Sequence, residues 1–214
     1  MRRWIIVAGL ALTACGGGAS APAKTERAQL PELRDFDAIA LDSDDSVEVR
    51  RGDDYAVRIE GPAGLRDRLT IRRDGTVLRI GRKPQEIWAI DREAARIVVT
   101  MPAIRAATLS GSGDLTIDQA GDPFAATLNG SGDMTIGQLQ GDRASLTISG
   151  TGTIAAAGSV RTLSLTTTGS GDIDARQVQA GEATLSVTGS GSATLGPGAR
   201  CTIHRVGTGE AHCG

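Results

Sequence analysis

The sequence predicts an all-β protein, a flattened β-helix of two main sheets with about 19–20 residues per coil. Three observations carry that expectation. Six Gly-Ser-Gly or Gly-Thr-Gly triplets begin at Gly111, Gly130, Gly150, Gly169, Gly189 and Gly207, in steps of 19, 20, 19, 20 and 18 residues. Apolar residues hold fixed places around every triplet. Aromatic residues are few (Trp4, Phe36, Tyr55, Trp88 and Phe124), which suits a narrow interior lined by aliphatic side chains rather than a wide globular core.

Taken in chain order, residues 1–14 read as a bacterial lipoprotein signal peptide. Arg2 and Arg3 form a positive start, and Trp4 to Leu12 an apolar run too short to span a bilayer. Leu12-Thr13-Ala14-Cys15 then resembles a lipobox, which implies cleavage before Cys15 and lipid on its sulfur, a palmitoylated membrane anchor. Gly16 rather than Asp follows the cysteine, which by similarity to lipoprotein sorting favours the outer membrane; its periplasmic and surface faces are both left open. Residues 15–34, the lipidated cysteine and the small, charged and Pro residues after it, read as a flexible tether.

From residue 35 to 214 the chain reads as one domain of successive strands. Val47 and Val49, then Tyr55, Val57 and Ile59, alternate with polar neighbours, and Gly52-Asp53 marks a turn between them. Leu69 and Ile71 lead through Asp74-Gly75 to Leu78 and Ile80, the pattern of a hairpin. Residues 82–96 are expected to form a loop or one short helix. Ile97, Val99 and Met101 form a further strand, closed by Pro102.

Within the repeat, one inward column reads Leu109, Leu128, Ile148, Thr167, Val187 and Arg205; another reads Leu115, Met134, Ile154, Ile173, Ala193 and Ala211. Two strands therefore flank each triplet and turn alternate side chains inward. One such unit leaves both backbone edges bare, so the units must stack, about 4.8 Å apart. A second turn is marked by Gly121-Asp122, Gly141-Asp142, Gly158-Ser159, Gly181-Glu182 and Gly198-Ala199; its spacing is less regular, and looser loops are expected there.

With Cys15 lipidated, Cys201 and Cys213 remain, and an oxidising periplasm would let them pair. His204 and His212 lie between them, but strand alternation sends both outward, so no zinc site is expected. Three places into each repeat stand Asp114, Asp133, Thr153, Asp172, Ser192 and Glu210. Their spacing is not that of a calcium β-roll, and local capping of turn amides is the expected role. No metal or cofactor is expected. Ser112, Ser131, Ser170 and Ser190 have no histidine in the same unit that could activate them, which argues against a nucleophile. No lysine follows Lys83 and no carboxylates cluster, which argues against glycan-cleaving chemistry. A net charge of -2 without a basic block makes nucleic acid a poor candidate partner, and none is expected.

The chain resembles the bacterial proteins called putative auto-transporter adhesins with a head GIN domain. The likeness rests on Phe36-Asp37-Ala38-Ile39 with the strands after it, on Ile97-Val98-Val99-Thr100-Met101-Pro102 leading into Leu109-Ser110-Gly111-Ser112-Gly113-Asp114, and on the triplet run. The resemblance implies a β-helix similar in shape to pectin-lyase-like proteins, with the triplets as tight turns between sheets, a role in adhesion, and no catalytic residues. The departures from Asp at Thr153, Ser192 and Glu210 weaken any reading of that column as one binding device. The expected function is thus a non-catalytic cell-envelope lipoprotein with a binding surface for glycan or protein, Trp88 being a candidate contact. The alternatives are a structural envelope protein without its own ligand and a degenerate β-helical carbohydrate enzyme. A trimer follows only by analogy with trimeric auto-transporter heads; no sequence feature establishes it.

Overall fold

The structure, a computed structural model, describes residues 33–61, 64–83 and 94–214. The predicted solenoid is present. Strands β7 (Ala106–Gly111), β8 (Asp114–Gln119) and β9 (Phe124–Gly130) are followed by long strands β10 (Asp133–Gly150), β11 (Thr153–Gly169) and β12 (Asp172–Gly189). β13 (Ser192–Leu195), β14 (Arg200–Gly207) and β15 (Glu210–Cys213) complete it. Every pairing within this run is parallel and joins one coil to the next.

Two sheets result. Sheet A stacks β7, β9, the C-terminal halves of β10, β11 and β12, then β14; sheet B stacks β8, the N-terminal halves of the same long strands, β13 and β15. Inward columns mesh between them: Leu109, Leu128, Ile148 and Val187 from sheet A, and Leu115, Met134, Ile154 and Ile173 from sheet B, are each at most 1% exposed.

The earlier strands extend the stack out of sequence order. β1 (Ala38–Asp42) and β2 (Ser46–Arg51) form the coil below β7 and β8. β5 (Val77–Arg82) and β6 (Arg96–Met101) form the coil below that one, although they come later in the chain. Between them β3 (Ala56–Glu60) and β4 (Leu69–Asp74) pair antiparallel with β6 and β5. One short helix, α1 (Leu65–Arg68), precedes β4. The Asp74-Gly75 hairpin is as the sequence predicts, with Gly75 at φ +62°. At this end of the stack both sheets finish on an edge strand running against the rest. Residues 84–93, most of the segment expected to be a loop or short helix, lie outside the described residues, as do Cys15 and Trp88.

The triplets explain themselves at the corners. Ser131 and Gly132 donate their amides to the carbonyl of Gly111, at 3.0 and 3.2 Å, and Thr151 and Gly152 do the same to Gly130, at 2.9 and 3.2 Å. The hydrogen-bond ladder therefore passes around the bend unbroken. A Cβ on Gly132 would stand 2.0 Å from the carbonyl oxygen of Gly113, and one on Gly152 2.1 Å from that of Gly132. Corners stacked this closely admit no side chain.

The second turn corrects an expectation. Looser loops occur at 120–123 and 196–199, but β10, β11 and β12 run 18, 17 and 18 residues straight through their corners with the pairing kept, as in Gly141 with Val160. The physical reason lies in sheet B, where β-bulges between Ile136 and Leu139 and between Ala155 and Ala157 absorb the length difference. Pairing offsets change from 20 (Asp133 with Thr153) to 19 (Leu139 with Gly158) across the first bulge. The alternating 19 and 20 of the triplet steps is this device written in the sequence.

Candidate functional site

The two outer faces differ in chemistry. On sheet A, from β7 to β12, the outward residues form in-register columns: Thr108, Thr127, Thr147, Thr166 and Ser186; Ser110, Asn129, Ser149, Thr168 and Thr188; Ala106, Ala125, Ser145, Ser164 and Thr184. None of these three columns is charged, in a chain of which 22% of residues are; the charges of this face lie in the next outward column, Arg143, Thr162 and Glu182. No register shift interrupts these columns, so hydroxyls repeat about every 4.8 Å along the stack. Their rows stand on rigid parallel sheet, so little order has to be gained on binding.

Sheet B carries the acids. Asp114, Asp133, Asp172 and Glu210 occupy one outward column, Asp174 the next. Asp133 accepts from the amide of Thr153 at 3.2 Å, and Asp172 from the amide and hydroxyl of Ser192 at 2.9 and 2.6 Å. Asp114 accepts from the Ser46 hydroxyl at 3.4 Å. These carboxylates were expected to cap their own turns; they bond neighbouring coils instead. The cause is the stacking distance, which sets the next coil's amide within reach. Among the described residues no cluster of His, Cys, Asp and Glu could hold a metal ion. Asp174 is held below its ordinary value by the side-chain hydrogen bond from Arg176, with burial acting the other way. Glu48 is lowered to about 2 by hydrogen bonds from Arg50 (2.6 Å) and Arg96 (2.7 Å).

The remaining predicted residues fall into place around these faces. Cys201 and Cys213 are joined by a disulfide, with Cα atoms 6.4 Å apart, linking sheet A to sheet B at the end of the last coil away from its triplet. His204 pairs in register with Ser186 and His212 with Thr194, both outward, and His212 meets Glu210 at 3.1 Å. Ser131, Ser170 and Ser190 sit exposed at corner tips, where Ser131 and Ser190 bond the hydroxyls of Thr151 and Thr208.

Sequence reasoning missed a buried ion pair. Asp45 is fully buried, and its carboxylate accepts from Arg82 (2.6 and 3.0 Å), from the Ala95 amide (2.8 Å) and from the Ser43 hydroxyl (2.8 Å). Burial raises its pKa, but these donors and the Arg82 charge outweigh it and hold the carboxyl below its ordinary value. The signal was present: Ser43-Asp44-Asp45 stands where a triplet would, and Gly113 donates to the carbonyl of Ser43 at 3.2 Å as triplets do to one another. This corner has no glycine, and a carboxylate ties its backbone instead.

At the outer margin of sheet A lies an open groove of about 410 Å³. Arg105, Phe124, Ala125, Arg143, Ala144 and Thr162 are among the residues that line it, and its exposed wall is almost wholly apolar. No carboxylate among the described residues pairs with either arginine side chain.

The sequence profile of the family described as "Putative auto-transporter adhesin, head GIN domain" matches residues 35–213. The chain belongs to this family. The match covers both faces, both ends of the stack and the groove. Solved structures share the fold of this head GIN chain at low identity. A protein described as a putative lipid binding protein from Parabacteroides distasonis is 18% identical, with a TM-score of 0.62 over 90% of this chain and 98% of its own. A putative adhesin from Parabacteroides merdae gives 19% identity and 0.62 over 89% and 96%. Another from Bacteroides fragilis gives 14% and 0.60 over 85% and 93%. No curated protein matches the chain by sequence.

Proposed function

We propose that this protein is a non-catalytic adhesion protein of the bacterial cell envelope, anchored by lipid at Cys15, whose sheet A outer face binds glycan. The observation that carries the reading is the uncharged hydroxyl lattice of Thr108, Thr127, Thr147, Thr166 and their neighbours. A hydroxyl both donates and accepts, which suits the hydroxyls of a sugar. A neutral face costs less to desolvate than one bearing ions. Repetition lets many weak contacts act together along an extended ligand. Membership of an adhesin family supports the same reading.

The tether of residues 15–34 would let the domain stand off the membrane by up to roughly 65 Å when fully extended. Growth with labelled palmitate tests the anchor: the chain takes up label, and Cys15→Ser abolishes the labelling. Labelling of the Cys15→Ser chain would refute the anchor. Binding is tested by probing the purified protein against neutral and acidic glycans and against envelope extracts. Retention on glycans is the expected result. Failure to bind any of them would overturn the adhesive reading and leave a structural envelope role.

A further inference from the structure

The groove beside Arg105 and Arg143 narrows the ligand class. Resting on the glycan-binding reading above, we infer that this groove takes an acidic polysaccharide, its carboxylates held by the two arginines. The charge argument comes first. Three outward columns of sheet A are uncharged from β7 to β12; in the column beside them Glu182 stands two coils beyond Arg143, and the two guanidiniums meet no carboxylate of the described residues. The nearby acids are engaged. Asp122 accepts the amides of Asp142 and Arg143 at 2.9 and 3.1 Å, and Asp142 pairs with Arg161 at 3.4 Å. A larger groove of about 490 Å³ on sheet B makes the contrast, because its arginine, Arg96, is already bound to Glu48 at 2.7 Å.

Shape and spacing agree with the charge. Arg105 leads into β7 and Arg143 lies two coils further along, so the anchors stand about 10 Å apart along the stack. That is about the length of a disaccharide, which suits carboxylates recurring along a polymer. The guanidinium fork receives a carboxylate through two parallel hydrogen bonds. Beside the anchors the exposed wall, with Ala125 and Ala144 in it, is almost wholly apolar, which suits the C–H face of a pyranose. Phe124 is only 2% exposed and cannot stack on a sugar ring, so the charged anchors must supply the selectivity.

The test uses the purified full chain and three acidic polymers (polygalacturonate, alginate and hyaluronate), each beside its carboxyl-reduced form, with affinity read by biolayer interferometry. At least one acidic polymer should bind about tenfold more tightly than its reduced form, and the advantage should shrink as salt is raised. Arg105→Gln combined with Arg143→Gln should abolish that advantage, while Arg176→Gln on sheet B should leave it intact; melting curves confirm that each variant is folded. Equal binding of acidic and reduced forms, or a double variant that keeps the preference, would overturn the inference while sparing the hydroxyl face. Binding to none of the six polymers would overturn it as well.

Discussion

Gly152 and Gly75 are the same residue under different demands. Gly75 has φ +62° and open space where a Cβ would be, so only the dihedral resists a side chain. At Gly152 a Cβ would lie 2.1 Å from the Gly132 carbonyl oxygen, so the stacking itself resists. Gly75→Ala should therefore cost about 1 kcal/mol, and Gly152→Ala about 3 kcal/mol or more. Urea unfolding of the two variants measures the difference, and similar costs would contradict tight corner stacking. Thr167 is the opposite case. It sits in the inward column between Ile148 and Val187, and its buried hydroxyl has no hydrogen-bond partner among the described residues. Thr167→Val keeps the shape, removes the unsatisfied group, and should raise stability by about 1 kcal/mol; a lower melting temperature would show that the hydroxyl has a partner.

At the scale of elements, the two ends of the stack are finished differently. The first end combines antiparallel β3 and β4 with the Asp45–Arg82 pair and the Glu48 bridges. Glu48 falls from an ordinary value of 4.5 to about 2, and Asp45 is lowered too. Both carboxyls bind a proton less readily folded than unfolded. Their stabilisation is therefore complete above the unfolded pKa and is lost as the pH falls through the folded one. Stability should drop as the pH falls from about 4.5 toward 2, and Glu48→Gln should make that drop shallower. An unchanged acid profile in the variant would contradict the bridge geometry.

The other end stops β14 and β15 from recruiting further strands. Arg205 occupies the inward column held by Val187 one coil below, and an inward charge at an edge discourages pairing. The disulfide ties the two sheets there, and closing a loop with a sequence separation of 12 stabilises by about 3 kcal/mol in the chain-entropy view. Arg205→Leu should extend the apolar column next to the exposed Ile203 and yield concentration-dependent larger species on size-exclusion chromatography. A variant that elutes unchanged at all concentrations would remove the blocking role from Arg205.

For the whole molecule, the repeat was legible because stacking imposes the same demand at every coil: glycine where backbone meets backbone, aliphatic residues where side chains mesh. The disulfide was legible through cysteine count and strand parity. The out-of-order start was not, since β1, β2, β5 and β6 have the same alternation whichever coil comes first. Of the Asp45–Arg82 pair only the Ser43-Asp44-Asp45 corner left a mark in the sequence, because Arg82 lies 37 residues away and shares no motif with it. The division between a neutral and an acidic face was present in the columns, but it became visible only once register showed which residues share a side. Trp88, the sequence's own candidate contact, lies outside the described residues, and the candidate surface rests on sheet A without it.

That division is tested most directly by placing one bulky charge on each face. Thr147→Glu sits at the centre of the sheet A lattice, and Thr135→Glu at a matching outward position on sheet B. Adhesion of protein-coated beads to a glycan surface should be lost with Thr147→Glu and kept with Thr135→Glu, both variants melting like the parent. Loss with Thr135→Glu alone, or adhesion unaffected by Thr147→Glu, would contradict the assignment of binding to the hydroxyl face.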